Sequence, residues 1–281
     1  MKLARFDGGR IGVVLDGRVV DVSAACGVDP REWPPVGMNR VIASFAALRP
    51  AIENAARSSD GVPLAQAQLH TPVPWPHNLY ALGNNYAAHA AEMAARPRTN
   101  APPPGGGFFL KAASSLIGPC EQIVLPDRPG REIHYECELA VVIGKRGRAV
   151  TAERAMEYVF GYACLIDVTL RGQEERPYRK SFDTFTPMGP WIATTDEVGD
   201  PHDVEMKLWL NGELRQRARV DEMLMGIAEA IAMCSEAATL EPGDVIATGT
   251  MSGVGKLEPG DRVRIAIDRV GAMEIPVEKK R

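Results

Sequence analysis

Apolar positions alternate in short runs at the start of the chain and form longer, nearly continuous runs from its middle onward. Residues 1–6, 10–15 and 18–22 read as strands separated by Asp7-Gly8-Gly9 and Asp16-Gly17, turn signals that predict a small β meander. Residues 43–56 are helical in composition, 61–68 form an alanine-rich connection, and the stretch from His70 to His77 is punctuated by proline. A boundary near residue 72 is expected, giving a small N-terminal α/β domain (1–72) and a larger domain (73–281).

In the larger part, residues 78–82 read as a strand, Gly83-Asn84-Asn85-Tyr86 as a turn and 87–95 as an alanine-rich helix. Residues 96–107 hold prolines and three consecutive glycines, the composition of a loop that either serves as a lid or simply connects. Beyond it the pattern is mostly strand: 108–111, 122–125, 133–143, 160–167, 190–194, 205–210, 244–248, 262–267 and 273–277. Two helices interrupt it. Thr151 is placed to cap one over 152–159, and Asp221 to cap one running to 238, with Met225, Ile227, Ile231 and Cys234 as its apolar stripe. Leu-Glu-Pro-Gly-Asp occurs at 240–244 and 257–261, each time as a turn that launches a strand. The class is α+β and strand-rich.

Composition narrows this little. The chain has 281 residues, 45% hydrophobic and 24% charged, which suits a folded core and leaves disorder without support. A net charge of −4 offers no general attraction for nucleic acid or an anionic membrane, and Lys279-Lys280-Arg281 reads as a solvated tail. The five cysteines lack CxxC spacing and are expected as reduced thiols. With no signal-like h-region and no run of about 20 apolar residues, a soluble, cytoplasmic protein is expected.

Chemistry enters at His134-Tyr135-Glu136-Cys137-Glu138-Leu139, two carboxylates inside a strongly strand-forming run. Period-two geometry puts Glu136 and Glu138 on one face, with Cβ atoms about 6–7 Å apart. At an effective dielectric near 20 their repulsion is roughly 3 kcal/mol, so either water hydrates them on an exposed face or a cation offsets them. Asp167 shifts the balance toward the cation, because it ends a second apolar strand where a third ligand fits. Three carboxylates are hard donors suited to Mg²⁺, Mn²⁺ or Ca²⁺.

Over residues 78–278 the chain resembles the fumarylacetoacetate hydrolase family. The resemblance is carried in family order by Gly83-Asn84-Asn85-Tyr86-Ala87-Ala88-His89-Ala90-Ala91-Glu92, Phe109-Leu110-Lys111, Tyr135-Glu136-Cys137-Glu138-Leu139, Asp167-Val168-Thr169-Leu170-Arg171, Lys180-Ser181-Phe182-Asp183 and Gly249-Thr250-Met251-Ser252-Gly253. It implies a mixed β-roll catalytic domain behind a small N-terminal domain, a homodimer, and Mg²⁺ held by Glu136, Glu138 and Asp167. It also implies a His89–Glu92 pair, a stabilising cation at Lys180, and substrate-carboxylate contacts from Arg171 and Thr250. Without the resemblance, Arg171 and Lys180 would read as surface charges, Thr250 as a turn residue, and His89–Glu92 equally as decoration on a helix face. Glu174 stands where many members carry glutamine, at the contact to the distal end of the substrate. The additional aspartate ligand of the larger eukaryotic hydrolases has no counterpart before His89, and water is expected in that position.

The implied activity is cleavage of the C3–C4 bond of a 2,4-dioxo acid of the acylpyruvate or fumarylpyruvate type. Water activated by His89 adds at C4, and a metal-bound enolate facing Lys180 departs, giving pyruvate and a carboxylic acid. The same site chemistry also serves an isomerase or decarboxylase of aromatic catabolism, such as a 2-hydroxyhepta-2,4-diene-1,7-dioate isomerase, or an oxaloacetate decarboxylase. A non-catalytic, metal-stabilised binding protein is the alternative from outside enzymology.

Overall fold

The long apolar runs become strands because both of their faces are covered. The computed structural model describes residues 1–94 and 107–280. Its main sheet runs in the order Val62–Pro63, Arg18–Asp21, Arg10–Leu15, Lys2–Phe6, Thr186–Thr194, Val159–Ile166, Cys137–Ile143, Val245–Ala247, Leu79–Leu82 and Phe108–Leu110. Most pairings are antiparallel, but Val245–Ala247 lies parallel to Leu79–Leu82, so the sheet is mixed. A five-stranded sheet is ordered Glu213–Arg219, Glu205–Leu210, Arg262–Ile267, Gly271–Lys279 and Ile123–Leu125, and three short strands form a third, Thr169–Leu170, Ile133–Tyr135 and Gly255–Lys256.

Cys137–Ile143 is buried at every position. Leu139, Val141 and Ile143 join the cluster that contains Leu208 and Ile265 of the five-stranded sheet and Ile231 of the helix Ile227–Ala237. Ala140 and Val142 face the other way, into a cluster with Val13, Met38, Val41 and Ile52 from the N-terminal part. Burial on both faces explains why this strand reads as a continuous apolar run rather than an alternation. Each large aliphatic side chain so buried contributes about 1.5–3 kcal/mol. Across the expected boundary near residue 72, Lys2–Phe6 pairs antiparallel with Thr186–Thr194.

Several elements differ from expectation. The run 133–143 is two strands, Ile133–Tyr135 and Cys137–Ile143, which belong to different sheets and break at Glu136. The expected helix at 43–56 is Phe45–Arg57, preceded by a separate Gly37–Ala43. The one at 152–159 closes as a 3₁₀ turn at Met156–Tyr158, because Val159 already pairs in the sheet. The helix expected from Asp221 begins only at Ile227, with no side-chain cap. Its would-be first turn is diverted because the backbone N–H groups of Leu224 and Met225 donate to Asn85. Glu213–Arg219 is a strand that no apolar alternation announces: Gln216 and Ala218 are its buried positions, among charged neighbours. The stretch at 96–107 lies, apart from Gly107, outside the described residues.

Candidate active site

The break at Glu136 brings the acidic residues together. Glu136 O accepts the backbone N–H of Asp167 at 2.9 Å, which holds the end of Val159–Ile166 against the gap. Carboxylate oxygens of Glu136, Glu138 and Asp167 thereby come within 4.8 Å of one another, and all three residues are buried. Three buried carboxylates at that spacing need compensation.

Much of it comes from cations. Lys180, at the end of the short helix Arg176–Lys180, donates to Glu136 Oε2 at 2.7 Å and also to Asp167 Oδ2. Lys111 follows the strand Phe108–Leu110; it donates to Asp167 Oδ1 and, at 3.0 Å, to the Phe185 carbonyl. The amide of Ala112 donates to Ser181 Oγ at 2.9 Å, so the two lysine-bearing segments are tied to each other. Arg171 NH2 lies 3.2 Å from Glu136 Oε1 without a hydrogen-bonding alignment, and Thr169 Oγ1 donates to the same oxygen at 3.1 Å.

Glu138 is the exception. It has no ion-pair partner among the described residues; its hydrogen bond comes from the Gly249 amide at 2.8 Å. Burial and the neighbouring Asp167 push its carboxyl far above the ordinary range, with Glu136 adding to the effect and Lys180 and the Gly249 amide offsetting only part of it. For Glu136, burial acts in the same direction but is outweighed by Lys180 and Arg171, which hold it well below that range. Burial would lower Lys180, yet Asp167, Glu136 and Glu138 together raise it. At Lys111 burial wins over Asp167 and the net direction is down. An arrangement that leaves one of three hard oxygen donors uncompensated fits a divalent cation such as Mg²⁺ or Mn²⁺.

His89 lies on the helix Ala87–Ala94 and its Nδ1 is 3.2 Å from Glu92 Oε2. Burial lowers its pKa and Arg171 adds to this, while Glu136 and Glu92 oppose it; the net direction is down, which favours the neutral imidazole. Asn85 places this helix. Its side-chain nitrogen donates to Thr248 O at 2.8 Å and to Met225 O at 2.9 Å, linking the helix start to the turn that carries Gly249 and Thr250. Gly249 has φ +90°, and a Cβ there would meet the Asn85 Cβ at 2.8 Å, so the turn requires glycine.

Thr250 is buried, and its hydroxyl accepts a hydrogen bond from Gln216 Nε2 at 2.9 Å. Glu174 is not brought to this group. Its carboxylate forks onto Arg131 at 3.0 and 2.8 Å on the surface, and that hydrogen bonding holds its pKa down. The fork, together with the bond from Arg131 Nε to Arg171 O at 2.6 Å, turns the side chain outward. Sequence reasoning assigned no role to Lys111, Thr169, Asn85 or Gln216. Lys111, Thr169 and Asn85 fall inside quoted motifs, which was the available signal; Gln216 falls in none.

A buried triad of hard oxygen donors, backed by two lysines and with a histidine–glutamate pair nearby, has the donor set that a divalent cation takes. Residues 78–278 match the family model for the fumarylacetoacetate hydrolase C-terminal region. The chain is 40% identical, over 99% of both chains, to maleylpyruvate hydrolase of Aquipseudomonas alcaligenes. It superposes with a TM-score of 0.92, at 48% identity over the whole of both chains, on the crystal structure of maleylpyruvate hydrolase from Sphingobium sp. SYK-6 in complex with manganese(II) ion and pyruvate. A 4-hydroxyphenylacetate degradation bifunctional isomerase/decarboxylase of Salmonella dublin is 40% identical over 80% of this chain and 52% of its own. This chain belongs to the fumarylacetoacetate hydrolase family. Among the described residues no helix is long and apolar enough to cross a membrane.

Proposed function

We propose that this protein is a Mg²⁺- or Mn²⁺-dependent hydrolase that cleaves the C3–C4 bond of a 2,4-dioxo acid, with maleylpyruvate as the first substrate to test. The observation that carries the reading is the buried cluster of Glu136, Glu138 and Asp167, in which Glu138 has no ion-pair partner among the described residues, with His89 and Glu92 nearby. A divalent ion on the three carboxylates supplies Lewis acidity to the 2-oxo-acid end of the substrate. Arg171 and the hydroxyl of Thr250 bind the adjoining carboxylate. Arg171 Nε and NH2 are buried without an aligned hydrogen bond, NH2 making only the 3.2 Å ion-pair contact with Glu136, so N–H donors remain for an anion.

His89, oriented by Glu92, takes a proton from water, and the hydroxide oxygen adds to C4. The C3–C4 bond then breaks with its electron pair on the pyruvate half, whose developing charge faces the Lys180 ammonium. A proton returns to C3, giving pyruvate and a carboxylic acid. The isomerase/decarboxylase relative shares the need for the electron-pair-accepting end but not for activated water, so His89 separates the two chemistries. A homodimer goes with this reading and is checked by light scattering.

The test is a panel of maleylpyruvate, fumarylpyruvate, acylpyruvates, oxaloacetate and 2-hydroxyhepta-2,4-diene-1,7-dioate with Mg²⁺ or Mn²⁺. Loss of enol absorbance is followed together with release of pyruvate or CO₂. His89→Ala is expected to lower hydrolysis by about 10²–10⁴-fold and oxaloacetate decarboxylation by less than about tenfold. Equal losses, or no hydrolytic turnover by the wild type, overturn the reading.

A base must be deprotonated to act, and burial moves His89 down from its ordinary 6.5. The acid limb of kcat/KM is therefore expected below pH 6.5, with activity retained as the pH falls through that value. A limb above it would mean that the Glu92 contact dominates burial.

A further inference from the structure

We propose that Gln216 is a positioning residue that fixes the direction of the Thr250 hydroxyl, so that its proton is presented to the carboxylate of the bound oxo acid; this rests on the oxo-acid reading given above. Gln216 is 1% exposed and projects from the otherwise charged strand Glu213–Arg219. Its Oε1 accepts the backbone N–H of Cys137, the residue between Glu136 and Glu138, at 2.9 Å. Its Nε2 donates to the Met251 carbonyl at 2.8 Å and to Thr250 Oγ1 at 2.9 Å.

The orientation of an amide is normally ambiguous, but here backbone groups settle both ends. An N–H can only donate, so the atom facing Cys137 is the oxygen; a carbonyl can only accept, so the atom facing Met251 is the nitrogen. The second proton of that nitrogen then points at Thr250, whose oxygen must accept it. Among the described residues the threonine proton goes to Met251 Sδ at 3.8 Å, a weak acceptor that an anionic oxygen would displace. A hydroxyl that accepts from a buried amide and donates only to a weak sulfur acceptor is a directed donor, the polarity that an anionic ligand requires.

The same glutamine also fixes the strand break. Cys137 N–H would otherwise lie in the gap between Ile133–Tyr135 and Cys137–Ile143, and Gln216 satisfies it from the five-stranded sheet. One side chain therefore sets the distance between the metal-ligand strand and the turn that carries Thr250.

The experiment measures pyruvate affinity of the Mn²⁺-loaded protein by calorimetry in wild type, Gln216→Met, Gln216→Glu, Thr250→Val and the Gln216→Met/Thr250→Val double variant. Gln216→Met removes the amide without adding charge. Gln216→Glu keeps the acceptor for Cys137 but carries at most one proton where the amide carries two, so Thr250 and the Met251 carbonyl cannot both be served.

Both single Gln216 variants are expected to bind pyruvate about tenfold more weakly or worse, and to raise substrate KM more than they lower kcat. Mn²⁺ affinity should not fall by more than about threefold in Gln216→Glu, which keeps the acceptor for Cys137 and with it the strand break, whereas a disrupted fold would lose it. In the Thr250→Val background, Gln216→Met should change pyruvate affinity by no more than about twofold, because the group it directs is gone. Wild-type affinity in Gln216→Met, or losses that multiply in the double variant, overturn the inference. If Gln216→Met does not fold, Gln216→Glu carries the same comparison. Failure of the Mn²⁺-loaded wild type to bind pyruvate at all would instead overturn the oxo-acid reading, and the inference with it.

Discussion

Glu138→Gln is expected to reduce metal-dependent turnover by about 10³-fold or more while leaving the metal-free protein at least as stable as the wild type. The two effects have opposite signs for one reason. Glu138 is the carboxylate that burial, Asp167 and Glu136 all disfavour as an anion, and no cationic side chain among the described residues pairs with it. A neutral amide of the same shape still accepts the Gly249 N–H and removes the cost of burying the charge or taking up a proton on folding, so the fold loses nothing without metal. With metal the amide is a poor third ligand, and the stabilisation that ligand binding brings is lost; at a hundredfold excess over Kd this is about 2.7 kcal/mol. Thermal unfolding with and without Mn²⁺, alongside the hydrolysis assay, reads both signs. Full activity in the variant would remove Glu138 from the metal site, and a metal-free midpoint several degrees below wild type would mean that its charge was already compensated.

The acidic residues were legible because their context contradicts them. Glu138 and Asp167 sit within or at the end of apolar strands, where a carboxylate has no packing reason to be. The way they converge was not legible. An unbroken pleat would align Glu136 and Glu138 by period two, whereas the chain changes sheets at Glu136 and its geometry depends on a side chain from Glu213–Arg219. That strand hid because its inward position is a glutamine among arginines and glutamates, a pattern that reads as solvated surface. The helix start at Ile227 was missed for a related reason: Met225 continues the apolar spacing, but its backbone is already committed to Asn85. Glu174 shows what a motif position leaves unsaid, since its carboxylate is forked onto Arg131, a residue some forty positions earlier in the chain.

Lys111 hid in plain view as a lysine after a short strand, and its replacement by methionine should cost the fold more than any substitution proposed above. Its side chain is completely buried and serves two acceptors, Asp167 Oδ1 and the Phe185 carbonyl. Methionine fills the volume but leaves a buried carbonyl without that donor and Asp167 with one cation fewer, and breaking a buried pair in this way costs about 3–5 kcal/mol. At roughly 2–4 °C per kcal/mol, the metal-free melting temperature should fall by about 6–20 °C. Mn²⁺ should recover part of this deficit, because Asp167 gains a divalent partner in place of the lost ammonium, while the Phe185 carbonyl remains unserved. Lys180→Met is the useful contrast. That lysine is also buried and paired with Glu136 and Asp167, but it faces the proposed leaving group, so its loss should fall on kcat as well as on melting temperature. Melting within about 2 °C of wild type for Lys111→Met, with or without Mn²⁺, would mean that Lys180 alone is enough to hold the acidic triad in place.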